Sequence, residues 1–105
     1  MTSRVLVFHP GVEGDLAAVY DYYQAFDPAL SGLFEARLDE QVERIELFPE
    51  SGAILFESYR RALLKRFPYM AVYLVGVDRI DILAVVSVSR DPAWIGETVS
   101  GRSDG

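Results

Sequence analysis

Hydrophobic and polar positions follow one rhythm up to about residue 57 and another after it. Arg4-Val5-Leu6-Val7-Phe8 is a short apolar, β-branched run halted by His9-Pro10-Gly11, the pattern of a buried strand followed by a breaker. Val12, Leu16, Val19, Tyr20 and Tyr23 then recur at helical spacing, with Glu13 and Asp15 in the first turn, where the helix dipole favours acids. Asp27-Pro28 reads as an N-cap followed by proline at the first helical position. From there Leu30, Leu33, Phe34, Leu38, Val42, Ile45 and Phe48 keep one stripe for about six turns, until Pro49-Glu50-Ser51-Gly52 stops it. The pattern predicts a strand and an antiparallel pair of amphipathic helices.

The second rhythm is that of strands. Tyr59 to Phe67 has β-type composition with charges interleaved, and 70–77 and 80–89 are nearly continuous apolar runs. A Gly76-Val77-Asp78-Arg79 turn zone joins the last two, as in a hairpin buried on at least one face. Past Arg90-Asp91-Pro92-Ala93-Trp94-Ile95 the chain turns to Gly, Ser and charge. Residues 1–95 are therefore expected to form one domain, and 96–105 ("GETVSGRSDG") a disordered tail. The order β-α-α-β-β-β predicts an α+β fold: a small, mostly antiparallel sheet with both N-terminal helices packed on one face.

Composition narrows the function classes. At 105 residues one core can bury about two thirds of the unfolded surface. No cysteine is present, so disulfides and thiolate metal sites are excluded, and a cytoplasmic location fits. No signal peptide is read in "MTSRVLVFHP", and the apolar runs are too short for a membrane span. The net charge of −6 argues against general nucleic-acid affinity, but it is unevenly spread: residues 1–57 carry 11 acids and 3 bases, residues 58–105 carry 5 acids and 7 bases.

That imbalance centres on "RRALLKRFPY", residues 60–69, with four cations in its first seven residues and no acid. On a strand Arg61, Leu63 and Lys65 share one side, and Arg60, Ala62, Leu64 and Arg66 the other, so helices on one face leave one set open. The alternation is readable both ways. Arg90, at the end of the last strand, can join either group. The plainer reading is an edge strand that carries Lys and Arg to block edge-to-edge pairing; the functional one is a localised receptor for an anion. His9, alone of its type, is expected to cap or face solvent. Asp39, Glu43 and Glu46 read as a solvated helix face rather than a metal site, and Glu40–Arg44 as an exposed i,i+4 pair. Tyr22 is expected to be exposed, with Tyr20 and Tyr23 in the core or facing a partner. Trp94 is expected to close the core beneath the sheet end. No cofactor and no metal is called for.

Three segments together resemble the RelE/ParE superfamily of bacterial toxins from type II toxin–antitoxin modules. They are "VEGDLAAVYDYYQAFDPALSGLFEARLDEQVERIELFPESG", "RRALLKRFPYMAVYLV" and "IDILAVVSVSRDPAWI", and the resemblance covers about residues 5 to 95. It implies a cognate antitoxin that wraps the toxin with an acidic segment and meets Arg60, Arg61, Lys65, Arg66, Tyr69 and Arg90. It also implies one of two targets, DNA gyrase or the ribosome with its mRNA. A metal-free RelE-like endoribonuclease would use Arg61, Lys65, Arg66 and Arg90 at the phosphate, with Tyr69 or Tyr73 relaying a proton. Ribonuclease members usually carry another Arg where this chain has Met70, and many have a His where it has Ser87. The Phe67-Pro68-Tyr69 and Arg90-Asp91-Pro92 marks resemble the ParE branch, which is favoured over the nuclease and over a degenerate, non-toxic member.

Overall fold

The computed structural model describes residues 4–103. Val5–Phe8 form strand β1, and helices α1 (Pro10–Phe26) and α2 (Pro28–Leu47) follow as the two apolar stripes predict. His9 caps α1, its Nδ1 accepting from the Gly11 amide at 2.9 Å, and Asp27 caps α2 by accepting from the Ala29 amide at 3.0 Å. Both helices have proline in the first turn, where its missing N–H costs nothing. A short 3₁₀ turn, Pro49–Ser51, then leads into β2 (Ala53–Phe56), β3 (Tyr59–Leu63), β4 (Tyr69–Val75), β5 (Arg79–Ser87) and a third helix, α3 (Pro92–Ser103).

The five strands make one sheet in the order β1-β5-β4-β3-β2, with β1 parallel to β5 and every other pairing antiparallel. Under α1 and α2 lies one core, in which Phe34, Leu38 and Ile45 meet Ala71, Tyr73, Ile80 and Val85. A second core lies on the other face, where Ile95 and Val99 of α3 cover Tyr59, Met70, Val72, Ala84 and Val86. The α+β class and the two N-terminal helices on one face stand as expected, but the sheet has helices on both faces.

Three expectations need correction. Residues 96–103 are not a disordered tail: they continue α3, with Asp91 accepting from the Ala93 amide at 3.0 Å and Pro92 in the first turn. Gly96, Ser100 and Gly101 disfavour a helix by intrinsic propensity, and only the i,i+4 pair Ile95/Val99 marks its buried face. The exposed apolar face of the sheet supplies the missing stability. Residues 104–105 of the expected tail lie outside the described residues. Strand β2 is the second correction. It has four residues, pairs on one side only, and carries an irregularity between Ile54 and Phe56, so it leaves little periodicity to read. Third, the strand expected from Tyr59 to Phe67 ends at Leu63, and Lys65-Arg66 form a turn with Arg66 at φ 70°.

A further irregularity positions the site. β5 pairs Tyr73 with Ile82 but Val72 with Ala84, so Leu83 is the extra residue of a β-bulge. Before it, Ile82 turns its carbonyl to His9 beyond the end of β1; after it, Val85 turns its amide to the same edge.

Candidate functional site: cationic grooves on the sheet

Strand register divides the adjacent arginines Arg60 and Arg61. Arg60 lies opposite Tyr73 and so points to the α2 side; Arg61 lies opposite Val72 and points to the α3 side. On its side Arg60 donates through Nη1 to the carbonyls of Gly52 (2.7 Å) and Glu50 (3.1 Å), tying the 3₁₀ turn to β3. Its guanidinium is therefore used by the fold, although it was expected among the partner-binding cations.

Arg61 shares a groove of about 260 Å³ with Arg90, lined by Leu55, Phe56, Met70 and Ile95. Arg90 follows β5, and its guanidinium carbon lies 4.0 Å from the centroid of the Trp94 ring, a stacking that holds the cation at the start of α3. A second groove, of about 270 Å³, lies on the α2 side and brings Lys65 together with Arg44 from the last turn of α2. Arg44 was missed because it was assigned to Glu40. In the structure Glu40 pairs instead with Arg37, which leaves Arg44 at the helix end, where cations are favoured. Lys65 and Arg66 are exposed in the β3–β4 turn, and Arg66 holds a left-handed backbone that glycine would adopt more easily.

The ion pairs among the described residues are Arg37–Glu40, Arg79–Asp81 and Arg102–Asp15. None of them consumes Arg61, Lys65, Arg66 or Arg90. A cation without its own carboxylate, set over an apolar floor, binds an anion with little competition and weak screening. The grooves are thus suited to a carboxylate or phosphate carried next to an apolar group.

Two expected chemical roles are not supported by the geometry. Tyr73 is fully buried; its hydroxyl donates to the Pro49 carbonyl (2.8 Å) and accepts from the Gly52 amide (3.0 Å). Burial pushes that phenol above the usual tyrosine value, opposed by the Gly52 N–H and the charges of Arg60 and Arg44. It anchors the turn and is out of reach of a substrate. Tyr69 is only partly buried, and its ring packs edge-on to Phe34 and Tyr23. Met70, where ribonucleases carry arginine, is 3% exposed in the core beneath α3. Among the described residues no group of three His, Cys, Asp or Glu side chains is placed to hold a metal, and no helix is long and apolar enough to cross a membrane.

The family model described as "ParE toxin of type II toxin-antitoxin system, parDE" matches residues 6–92. The chain belongs to the ParE toxin family. Among solved structures it is similar to a chain of the chromosomal ParDE toxin–antitoxin system from P. aeruginosa. The two share 25% identity with a TM-score of 0.71, over 81% of this chain and 96% of that one. No curated protein matches. The ParE match ends at Pro92, so most of α3 lies beyond it, whereas the sheet apart from Val5, both N-terminal helices and Arg61, Lys65 and Arg90 lie within.

Proposed function

We propose that this ParE-family chain is a toxin that acts by binding an essential target such as DNA gyrase, and that a cognate antitoxin neutralises it by laying an acidic segment over the cationic grooves. The observation that carries this reading is the convergence of Arg61 and Arg90 on one apolar groove, with no carboxylate among the described residues paired to either. Removal of Tyr73 from any proton relay, together with a buried Met70, favours binding over RNA cleavage. Similarity to a chain of the P. aeruginosa ParDE toxin–antitoxin system supports an antitoxin as partner.

Induced expression in bacteria lacking the partner gene tests the reading. Growth arrest with filamentation and DNA-damage signalling is the expected outcome. Rapid loss of translation with cut mRNA would replace it with the ribonuclease, and unimpaired growth at good yield would remove both. The double variant Arg61→Ala/Arg90→Ala is expected to relieve arrest while staying folded, because among the described residues neither guanidinium is paired with an acid. A double variant as toxic as the parent puts the working surface elsewhere.

A further inference from the structure

Strand β2 closes one side of the sheet: it pairs with β3 and has no strand beyond it. Alternate backbone groups of an edge strand point outward, where any strand laid alongside can bond to them. Natural proteins commonly guard such an edge with a charged residue or a proline, and Ala53-Ile54-Leu55-Phe56 has neither. What limits this edge is its length of four residues and the irregularity between Ile54 and Phe56. Ala53 and Ile54 are both exposed, Ile54 to 53%. Ile54 lies opposite Arg60 and so points to the α2 side of the sheet.

Charge flanks the strand at both ends, and the two ends differ in sign. Where β2 begins, Ser51, Gly52 and Ala53 line the groove that holds Arg44 and Lys65. Where it ends, Glu57 opens the turn to β3 at φ 48°, a left-handed backbone that glycine would hold at less cost. Glu57 shares a shallow groove with Ile54 and Arg60, but the Arg60 guanidinium is already held by the Gly52 and Glu50 carbonyls. Among the described residues, Arg44, Lys65 and Glu57 enter no ion pair. An edge with a cationic beginning and an anionic end is complementary to the same edge run antiparallel.

We infer that a second copy of this chain adds its β2 antiparallel to the first, about a two-fold axis perpendicular to the sheet, joining the two sheets into one. Such an interface is isologous: each copy offers the same strand and the same two charged ends. Pairing centred between Ile54 and Leu55 sets Glu57 of one copy against the partner's Gly52, beside the partner's Arg44 and Lys65. The axis leaves the α2 sides of both copies facing the same way, so these charges meet on one surface, with the two Ile54 side chains between them. Backbone bonds supply register, and the paired charges exclude the parallel arrangement. The seam is short, so the dimer is weak, with a Kd of about 10 μM at low salt. The groove of Arg61 and Arg90 stays open on the α3 side, so dimerisation and toxicity are separate properties.

Sedimentation equilibrium of the purified chain over a wide concentration range tests this, and a monomer–dimer equilibrium is the expected result. Glu57→Lys alone, and Arg44→Glu/Lys65→Glu alone, each set like charges together at both ends of the seam and should weaken dimerisation about tenfold. Mixed one to one, the two variants can form a heterodimer with one native and one swapped charge pair. That heterodimer should be about as tight as the parent dimer. All three positions are exposed, so the variants are expected to fold, which thermal unfolding checks. Should either fail to fold, amide exchange in the unaltered chain decides: the β2 amides should slow as concentration rises, while those of β1 do not. A monomer at every concentration, a dimer indifferent to both reversals, folded variants that stay apart when mixed, or β2 exchange independent of concentration overturns the inference.

Discussion

Tyr73 and Arg60 are paired across β3 and β4, and both are committed to the turn that follows α2. Residue type suggested a proton relay and an anion ligand; burial and register turned both into anchors. Tyr73→Phe leaves the Pro49 carbonyl and the Gly52 amide without their partner in a dry site. It should cost about 1–3 kcal/mol in denaturant unfolding without lowering toxicity per folded molecule. A loss of toxicity with unchanged stability would return the hydroxyl to chemistry. Gly52 is required for the same reason: a Cβ there would sit 2.2 Å from the Tyr73 hydroxyl. The tyrosines also set an alkaline limit. Burial holds Tyr20, Tyr23 and Tyr73 protonated above the free value of 10.0, so folding favours the neutral phenols. Their stabilising effect is complete below about pH 10 and declines as pH rises beyond it. Phenolate absorbance that lags behind an unfolded control, with a melting temperature falling over the same range, is the expected result.

At the scale of elements, α3 decides most. It carries few strong helix formers, yet its C-terminal Arg102 reaches across the sheet edge to Asp15, with both side chains mostly buried. Asp15 strengthens the guanidinium's hold on its proton, outweighing the effect of burial, so Arg102 stays charged. Arg102→Ala strands a carboxylate beside β5 and should cost about 3 kcal/mol, with Asp15→Ala/Arg102→Ala less damaging than the sum of the single changes. A double-mutant cycle by thermal unfolding measures this; simple additivity would mean that the clasp contributes nothing. The same element explains what the sequence left illegible. Helices α1 and α2 and the β4–β5 hairpin are long enough to betray their period, and β1 is an apolar run cut off by His9-Pro10. β2 is an irregular strand paired on one side and α3 is poor in strong helix formers, so both derive their order from the sheet, a tertiary effect that local pattern does not carry. Candidate-site residues divided in the same way. Arg61, Lys65 and Arg90 were legible as unpaired charge, whereas Arg44 was hidden by a plausible but unrealised pairing with Glu40.

Across the whole molecule, acids crowd the helical first half and bases the second, so an anionic partner is repelled from one side and admitted at the sheet. Partner affinity should therefore fall with added salt, and Arg61→Ala/Arg90→Ala should flatten that dependence, read by titration at several ionic strengths. A partner held as tightly at high salt would point to apolar contact as the dominant force. The sheet itself is a wall between two separately sealed interiors, one beneath twin helices and one beneath a single weak helix. Such a partition lets α3 lift away while the larger interior stays shut, so breathing of this molecule is lopsided: backbone amides of α3 trade their hydrogens with solvent through a cheap, local event, and those of α2 wait for the entire chain to come apart.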